Sequence, residues 1–177
     1  MGKAIIPFGS NLTAEFAAIM VRLNLELKKI KVDSLTGLME ASIHVRRETE
    51  DVSPVTPVDK GNLRQSYFAV ASNGKKARDP IGNGRFKDNP KSGIKASEMK
   101  ADHTALISEA AGVAKATGEP TLIMGYSANY AMPVHEMTGK QFHRTDKVAG
   151  PKWFETAVYR NRDKIVKIVA DNARIKG

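Results

Sequence analysis

The sequence predicts an α+β fold: a long N-terminal helix and a C-terminal helix packed on a small antiparallel β-sheet, with a long basic loop inserted. Three observations carry this. Apolar residues recur at helical spacing from Thr13 to Asp51, two short β-prone runs stand at Ser66–Ser72 and Thr121–Tyr126, and a second helical pattern follows Pro151. The order is helix, strand, basic loop, strand, helix, read as a single domain over residues 1–177.

The first helix is expected over 13–52. Leu12, Phe16, Ile19, Leu23, Leu27, Ile30, Leu38, Ala41 and Val45 fall near one stripe. Asn11 or Thr13 suits the N-cap, Glu15 suits the positive end of the dipole, and Pro54 disfavours helix at Ser53. Such a helix is roughly 55–60 Å long, and Gly37 is a place for it to bend or break. A stripe of that length outruns a 19.3 kDa body, so part of it is expected to meet other subunits.

Ser66–Ser72 (SYFAVAS) alternates weakly, with Phe68 and Val70 on one face, and reads as a strand. Residues 73–119 read as a loop-rich insertion. Asn73 to Lys95 is rich in Gly, Pro, Asn and Lys and is expected to be a mobile loop, and a short helix is expected around Leu106 and Ile107, weakened by Gly112. The second strand, Thr121–Tyr126, is expected to continue until Pro133 interrupts it. Gly150 and Pro151 then open a C-terminal helix over 151–174, with Phe154, Ala157, Val158, Ile165, Ile168 and Val169 on its stripe.

Composition narrows the function classes. Aromatic residues make up 6%, so the core must be mainly aliphatic, and the lack of cysteine excludes disulfides and thiolate metal sites. No signal peptide or membrane span is legible, and Asn11-Leu12-Thr13, although a glycosylation sequon, reads as a helix start. The net charge is +9, yet residues 1–52 hold seven basic and seven acidic side chains. The excess lies beyond Ser53, where Lys75, Lys76, Arg78, Arg85, Lys87, Lys91 and Lys95 face only Asp79 and Asp88. This segment suits DNA or the acidic face of another protein. With Phe86 as its one aromatic, it is no stacking platform for single strands.

Enzyme chemistry finds little footing. Gly61, Gly82 and Gly84 do not form a phosphate-loop fingerprint. His135-Glu136 matches half of a metalloprotease motif without the second histidine at helical spacing, and Pro133 and Gly139 argue against a helix there. A metal site from His135, Glu136 and His143 is the reading set against surface histidines in a turn. No serine sits in a nucleophile elbow, and neither Ser108 nor Ser127 has a recognisable base. The scattered methionines fit gap-filling.

Thr56–Ser66 (TPVDKGNLRQS) reads as a structural corner. Pro54 and Pro57 keep the chain extended, Asp59 can cap a following turn, and Gly61 permits a positive φ. Leu63 is expected in the core, with Arg64 reaching back to Asp59 or across an interface.

The same stretch resembles the Thr-Pro-x-Asp-x-Gly-x-Leu-Arg-x-Ser signature of the gene-product-ten type of phage tail-component family, named for a lambdoid coliphage. Thr56, Pro57, Asp59, Gly61, Leu63, Arg64 and Ser66 match, and Lys60 stands where Thr is usual. Asn129–Glu136 (NYAMPVHE) is similar to the family's Tyr-Ala-x-x-Val-Glu segment, departing at Pro133 and at His135-Glu136. Gly150–Phe154 (GPKWF) with a basic helix after it resembles the closing block.

The resemblance implies a non-enzymatic virion protein of the neck or upper tail, acting in head–tail joining or tail completion and assembled in the host cytoplasm. Its partners would be its own copies in a ring, expected to be a hexamer around the DNA channel, and neighbouring neck, tail-terminator or tail-tube proteins. No cofactor, metal or membrane is expected, and the basic loop would face DNA or an adjoining ring. The alternative is a free-standing, non-specific DNA-binding protein.

Overall fold

The computed structural model of the chain describes residues 10–82, 84–90, 93–138, 142 and 148–174; for 10–24 and 26–29 it describes the helical backbone only. The fold is α+β, with long N-terminal and C-terminal helices and a small two-stranded antiparallel sheet.

Helix α1 runs unbroken over Ser10–Asp51, 42 residues or about 63 Å. Gly37 does not break it. A Cβ at that position would lie 2.8 Å from Val169 Cα and 3.0 Å from Asn172 Cβ, so the glycine permits a close crossing by the C-terminal helix. That helix is two pieces, α5 (Trp153–Arg160) and α6 (Arg162–Ala173). The expected single helix divides at Asn161, whose amide bonds the Ala157 carbonyl at 2.9 Å and reaches Glu48 (3.0 Å) and His44 (2.9 Å) on α1. Arg160 binds Glu48 (3.2 Å) and the Ser53 carbonyl (3.1 Å), while Asn172 donates to Glu40 at 2.8 Å. Partner numbers rise on α1 as they fall on the C-terminal pair, so the two run antiparallel.

Strands β1 (Tyr67–Ser72) and β2 (Thr121–Tyr126) pair antiparallel from Tyr67↔Tyr126 to Ser72↔Thr121. Side-chain alternation divides β1 between two helices. Ala71 meets Leu35 and Met39 of α1, and Phe68 and Val70 meet Ala110, Leu106 and Ile107 of α3 (Ala96–Ala116). The thin sheet is thus sandwiched, and all six β1 residues are buried.

Helix α3 corrects the reading of 73–119 as loop-rich. Its His103, Ala110 and Ala114 are buried on one face, while Gly112 meets nothing within 4 Å. Burial of that face against the sheet outweighs the propensity cost of a solvent-side glycine, about 1 kcal/mol. The strand expected to run to Pro133 instead ends at Tyr126. Ala131–Glu136 forms helix α4, with Pro133 in its first turn, where a missing N–H breaks no helical hydrogen bond.

Replacing Gly37 by alanine tests the α1–α6 crossing. Propensity alone predicts a gain, but the contact is with backbone, so the two helices must separate. We expect a loss of about 1–3 kcal/mol and a lower midpoint in a thermal melt followed by circular dichroism. An unchanged or higher midpoint would contradict the crossing.

Candidate assembly site

The Thr56–Ser66 corner is folded against the C-terminal end of α1. Thr56 is fully buried; its amide bonds the Thr49 carbonyl at 2.7 Å, and its hydroxyl reaches the same oxygen at 3.1 Å. The Tyr126 hydroxyl lies 3.0 Å from both Thr49 Oγ1 and Thr56 Oγ1, joining α1, the corner and β2. Burial raises the Tyr126 pKa above the usual phenol value, opposed by the bonds to Thr49 and Thr56. Its ring stands edge-on to Tyr67, Trp153 and Phe154 at 5.5–5.9 Å.

The other signature residues divide between internal structure and an open cleft. Gly61 has φ 87°, and Asn62–Gln65 forms the short helix α2, in which Leu63 is 5% exposed. Ser66 Oγ donates to the Leu63 carbonyl at 2.7 Å. Arg64 does not reach back to Asp59: it binds Glu50 at 3.1 Å, alongside Arg46 at 3.2 Å, because the corner lies against α1. Asp59 does not cap α2 either; Gly61 holds the N-cap position and Asp59 is exposed. Pro57, Asp59, Gly61 and Leu63 line a cleft of about 640 Å³, walled on its other sides by Asn89, Ile94, Tyr130, Val134 and Phe142. Burial, and secondarily the charge of Asp59, raises the pKa of Tyr130.

The described residues of the basic segment are hydrogen-bonded to the rest of the fold, contrary to the expectation of a mobile loop. Ile81 and Ala69 exchange backbone hydrogen bonds at 2.9 Å, and Arg78 N donates to Ala71 O at 3.0 Å, so the segment covers the free edge of β1. Asn62 clamps Lys87, its amide donating to the Lys87 carbonyl and its oxygen accepting from the Lys87 N–H, both at 2.8 Å. Lys75, Lys76, Arg78, Arg85, Lys87 and Lys95 are exposed. Arg78 also bonds Thr36, and Lys95 pairs with Glu98 at 3.2 Å. Lys75 and Lys76 sit beyond the C-terminal end of β1 and Lys87 near its start, so the charges are spread along an edge roughly 20 Å long rather than gathered. Lys91 lies outside the described residues.

Ser127 has a partner that no local motif signals: its hydroxyl lies 2.7 Å from His103 Nδ1. His103 is 3% exposed, edge-on to Phe86 (5.5 Å) and Phe68 (6.5 Å), and hypothetical Cβ atoms on Gly82 or Gly84 would crowd its ring. Its Nε2 makes no hydrogen bond of good geometry, although the nearby Gly82 backbone favours the protonated form. Neither residue lines the cleft over the corner, and the pair reads as a packing contact that seats the basic segment on α3. Burial pushes the imidazole below its ordinary pKa.

Glu136 and His135 do lie on a helix, α4, contrary to the reading of a turn. His135, Glu136 and Glu155 bring ligand atoms within 4.8 Å of one another. His135 Nδ1 is 2.7 Å from Glu136, and Lys152 Nζ binds Glu136 (2.5 Å) and Glu155 (3.1 Å). The Lys152 ammonium therefore fills the cation position between the two carboxylates. Lys152 and then His135 lower the Glu136 pKa, and Glu136 and then Glu155 raise that of Lys152. His143 lies outside the described residues.

Searches against protein-family models, curated proteins and solved structures find no match. Among the described residues, no helix is long and apolar enough to cross a membrane.

Asn62→Ala should free the segment around Lys87, seen as faster tryptic cleavage at Arg85 and Lys87 together with a loss of about 1–2 kcal/mol; unchanged cleavage would show that Asn62 is no clamp. For His103, the folded pKa lies below the unfolded value of about 6.5. The unfolded chain therefore takes up a proton first as pH falls, and stability drops from about pH 7 downward until the folded pKa is passed. His103→Gln should remove that component from urea midpoints measured between pH 7.5 and 5.5.

Proposed function

We propose that the chain is a non-enzymatic structural subunit of a tailed-phage virion, acting at the neck or upper tail as a ring around the DNA channel in head–tail joining or tail completion. The observation that carries this reading is the reach of α1. Gly37 crosses α6 near Val169 and Asn172, close to the end of α6 at Ala173. From there α1 continues back to Ser10, about 40 Å. On the sheet side, Lys31 pairs with Glu119 at 2.8 Å, some 30 Å from the start of the helix. Leu25, on this projecting part, is 57% exposed. A rod of this kind suits burial against further copies, and heterologous contacts give a ring when the rotation between copies closes.

The resemblance of the three sequence blocks supplies the class of assembly. The corner supports it in a second way: Thr56, Leu63, Arg64 and Ser66 are engaged in packing or internal polar contacts, as expected of a building block. Partners under this reading are other copies of the chain, the adjoining neck, tail-terminator or tail-tube proteins, and DNA in the channel.

Disrupting the gene in its phage, with negative-stain electron microscopy of the lysate, tests the role. DNA-filled heads separate from tails are the expected outcome; intact virions would remove the reading. The exposed basic edge favours one alternative, a free-standing non-specific DNA binder. That alternative requires duplex binding by the isolated protein, measured by fluorescence anisotropy, that weakens steeply as salt rises. The neck reading expects little binding before assembly.

A further inference from the structure

We infer that the cleft over the corner receives the apolar segment Ala4–Phe8 of another copy of the chain. The inference rests on the reading that copies of this chain associate, and it names the contact. Pro57, Val58, Leu63, Ile94, Tyr130, Val134 and Phe142 make most of the cleft wall apolar, while Asp59 and Lys60 place an exposed carboxylate and an exposed ammonium at it, beside Asn62 and Asn89. Its volume, about 640 Å³, is that of a site for a drug-sized ligand or a short peptide.

The segment that matches this chemistry is AIIPF, residues 4–8, with Lys3 before it to meet Asp59. Pro7 fixes its own φ and biases Ile6 toward extended backbone, which lowers the ordering cost of lying in a groove. Residues 1–9 lie outside the described residues, but the position of residue 10 is informative. The cleft adjoins the far end of α1, where Thr56 bonds Thr49 and Arg64 bonds Glu50. Ser10 is about 60 Å from that end, because some forty helical residues intervene. Nine residues, fully extended, span at most about 32 Å. The segment therefore cannot reach its own cleft, and any occupation is in trans. Such a contact is head-to-tail: segment of one copy to cleft of the next, leaving a free segment and a free cleft at the two ends of the pair.

The chain has no cysteine, so engineered pairs report without background. Full-length Ile5→Cys and full-length Val58→Cys proteins are mixed under mild oxidation, with each alone as control. A disulfide-linked heterodimer in excess of either self-linked species is expected, and it should disappear when Ile6→Glu is added to the Ile5→Cys chain. Circular dichroism confirms that each variant is folded. Cross-linking no greater than in the single-variant controls, or unaffected by Ile6→Glu, would overturn the contact. In a parallel arm, sedimentation velocity compares wild type with Ile5→Glu/Ile6→Glu. Association that survives the double substitution removes this contact and leaves the ring reading standing. Cross-linking that succeeds while disrupted phage still yields intact virions removes the neck reading and leaves the contact standing.

Discussion

The buried Tyr126 hydroxyl is the constraint on which the rest of this structure depends. It joins Thr49 near the end of α1, Thr56 at the start of the corner and β2, which carries Tyr126 itself. A phenol taken out of water needs partners, and both threonine hydroxyls also bond backbone carbonyls, Thr49 to Arg46 and Thr56 to Thr49. The registers of helix, turn and strand are therefore coupled. A one-residue slip in β2 would carry Tyr126 to the other face of the sheet. It would also undo the aromatic cluster with Tyr67, Trp153 and Phe154 that holds the C-terminal helices near the corner.

From that junction the molecule extends in two directions. Along α1, the crossing at Gly37 and the polar ladder of Glu40, His44 and Glu48 fix the C-terminal helices antiparallel to its second half. Its first half runs on past them. Across the sheet, Asn62 and His103 bind the basic segment from two sides, one through the Lys87 backbone and the other through Phe86, Gly82 and Gly84. The corner thus packs against the end of α1, forms one wall of an apolar cleft and anchors the charged edge at Lys87. Of the basic side chains, Lys87 is the one tied directly to these eleven residues, through Asn62, while Lys75 and Lys76 lie beyond the other end of β1.

The sequence was most legible where one segment carries its own signal. The α1 stripe, the two β-prone runs with Phe68 and Val70 on one face, the positive φ at Gly61 and the burial of Leu63 are all local consequences of residue type and spacing. Where partners lie far apart in the chain, no such signal exists. Gly37 looked like a helix breaker because the backbone it contacts is more than a hundred residues away. Arg64 was directed toward Asp59 by proximity in sequence, whereas folding brings Glu50 closer. Asn62 on Lys87, Ser127 on His103 and Lys152 on Glu136 belong to the same class. Pro133 misled for another reason: the same residue that ends a strand also fits the first turn of a helix.

The sequence by itself determined the fold class, the long helix, the strand positions and the separation of a neutral N-terminal part from a basic remainder, because hydrophobic periodicity and charge are properties of single segments. Only the tertiary structure decided that the short helix expected around Leu106 and Ile107 extends over residues 96–116, that the basic segment is an anchored edge, and that the corner opens into a cleft. Those outcomes depend on which surfaces meet. The free energy of burying a face of α3 or a clamp at Asn62 exists only once the sheet and α1 are in place to receive them.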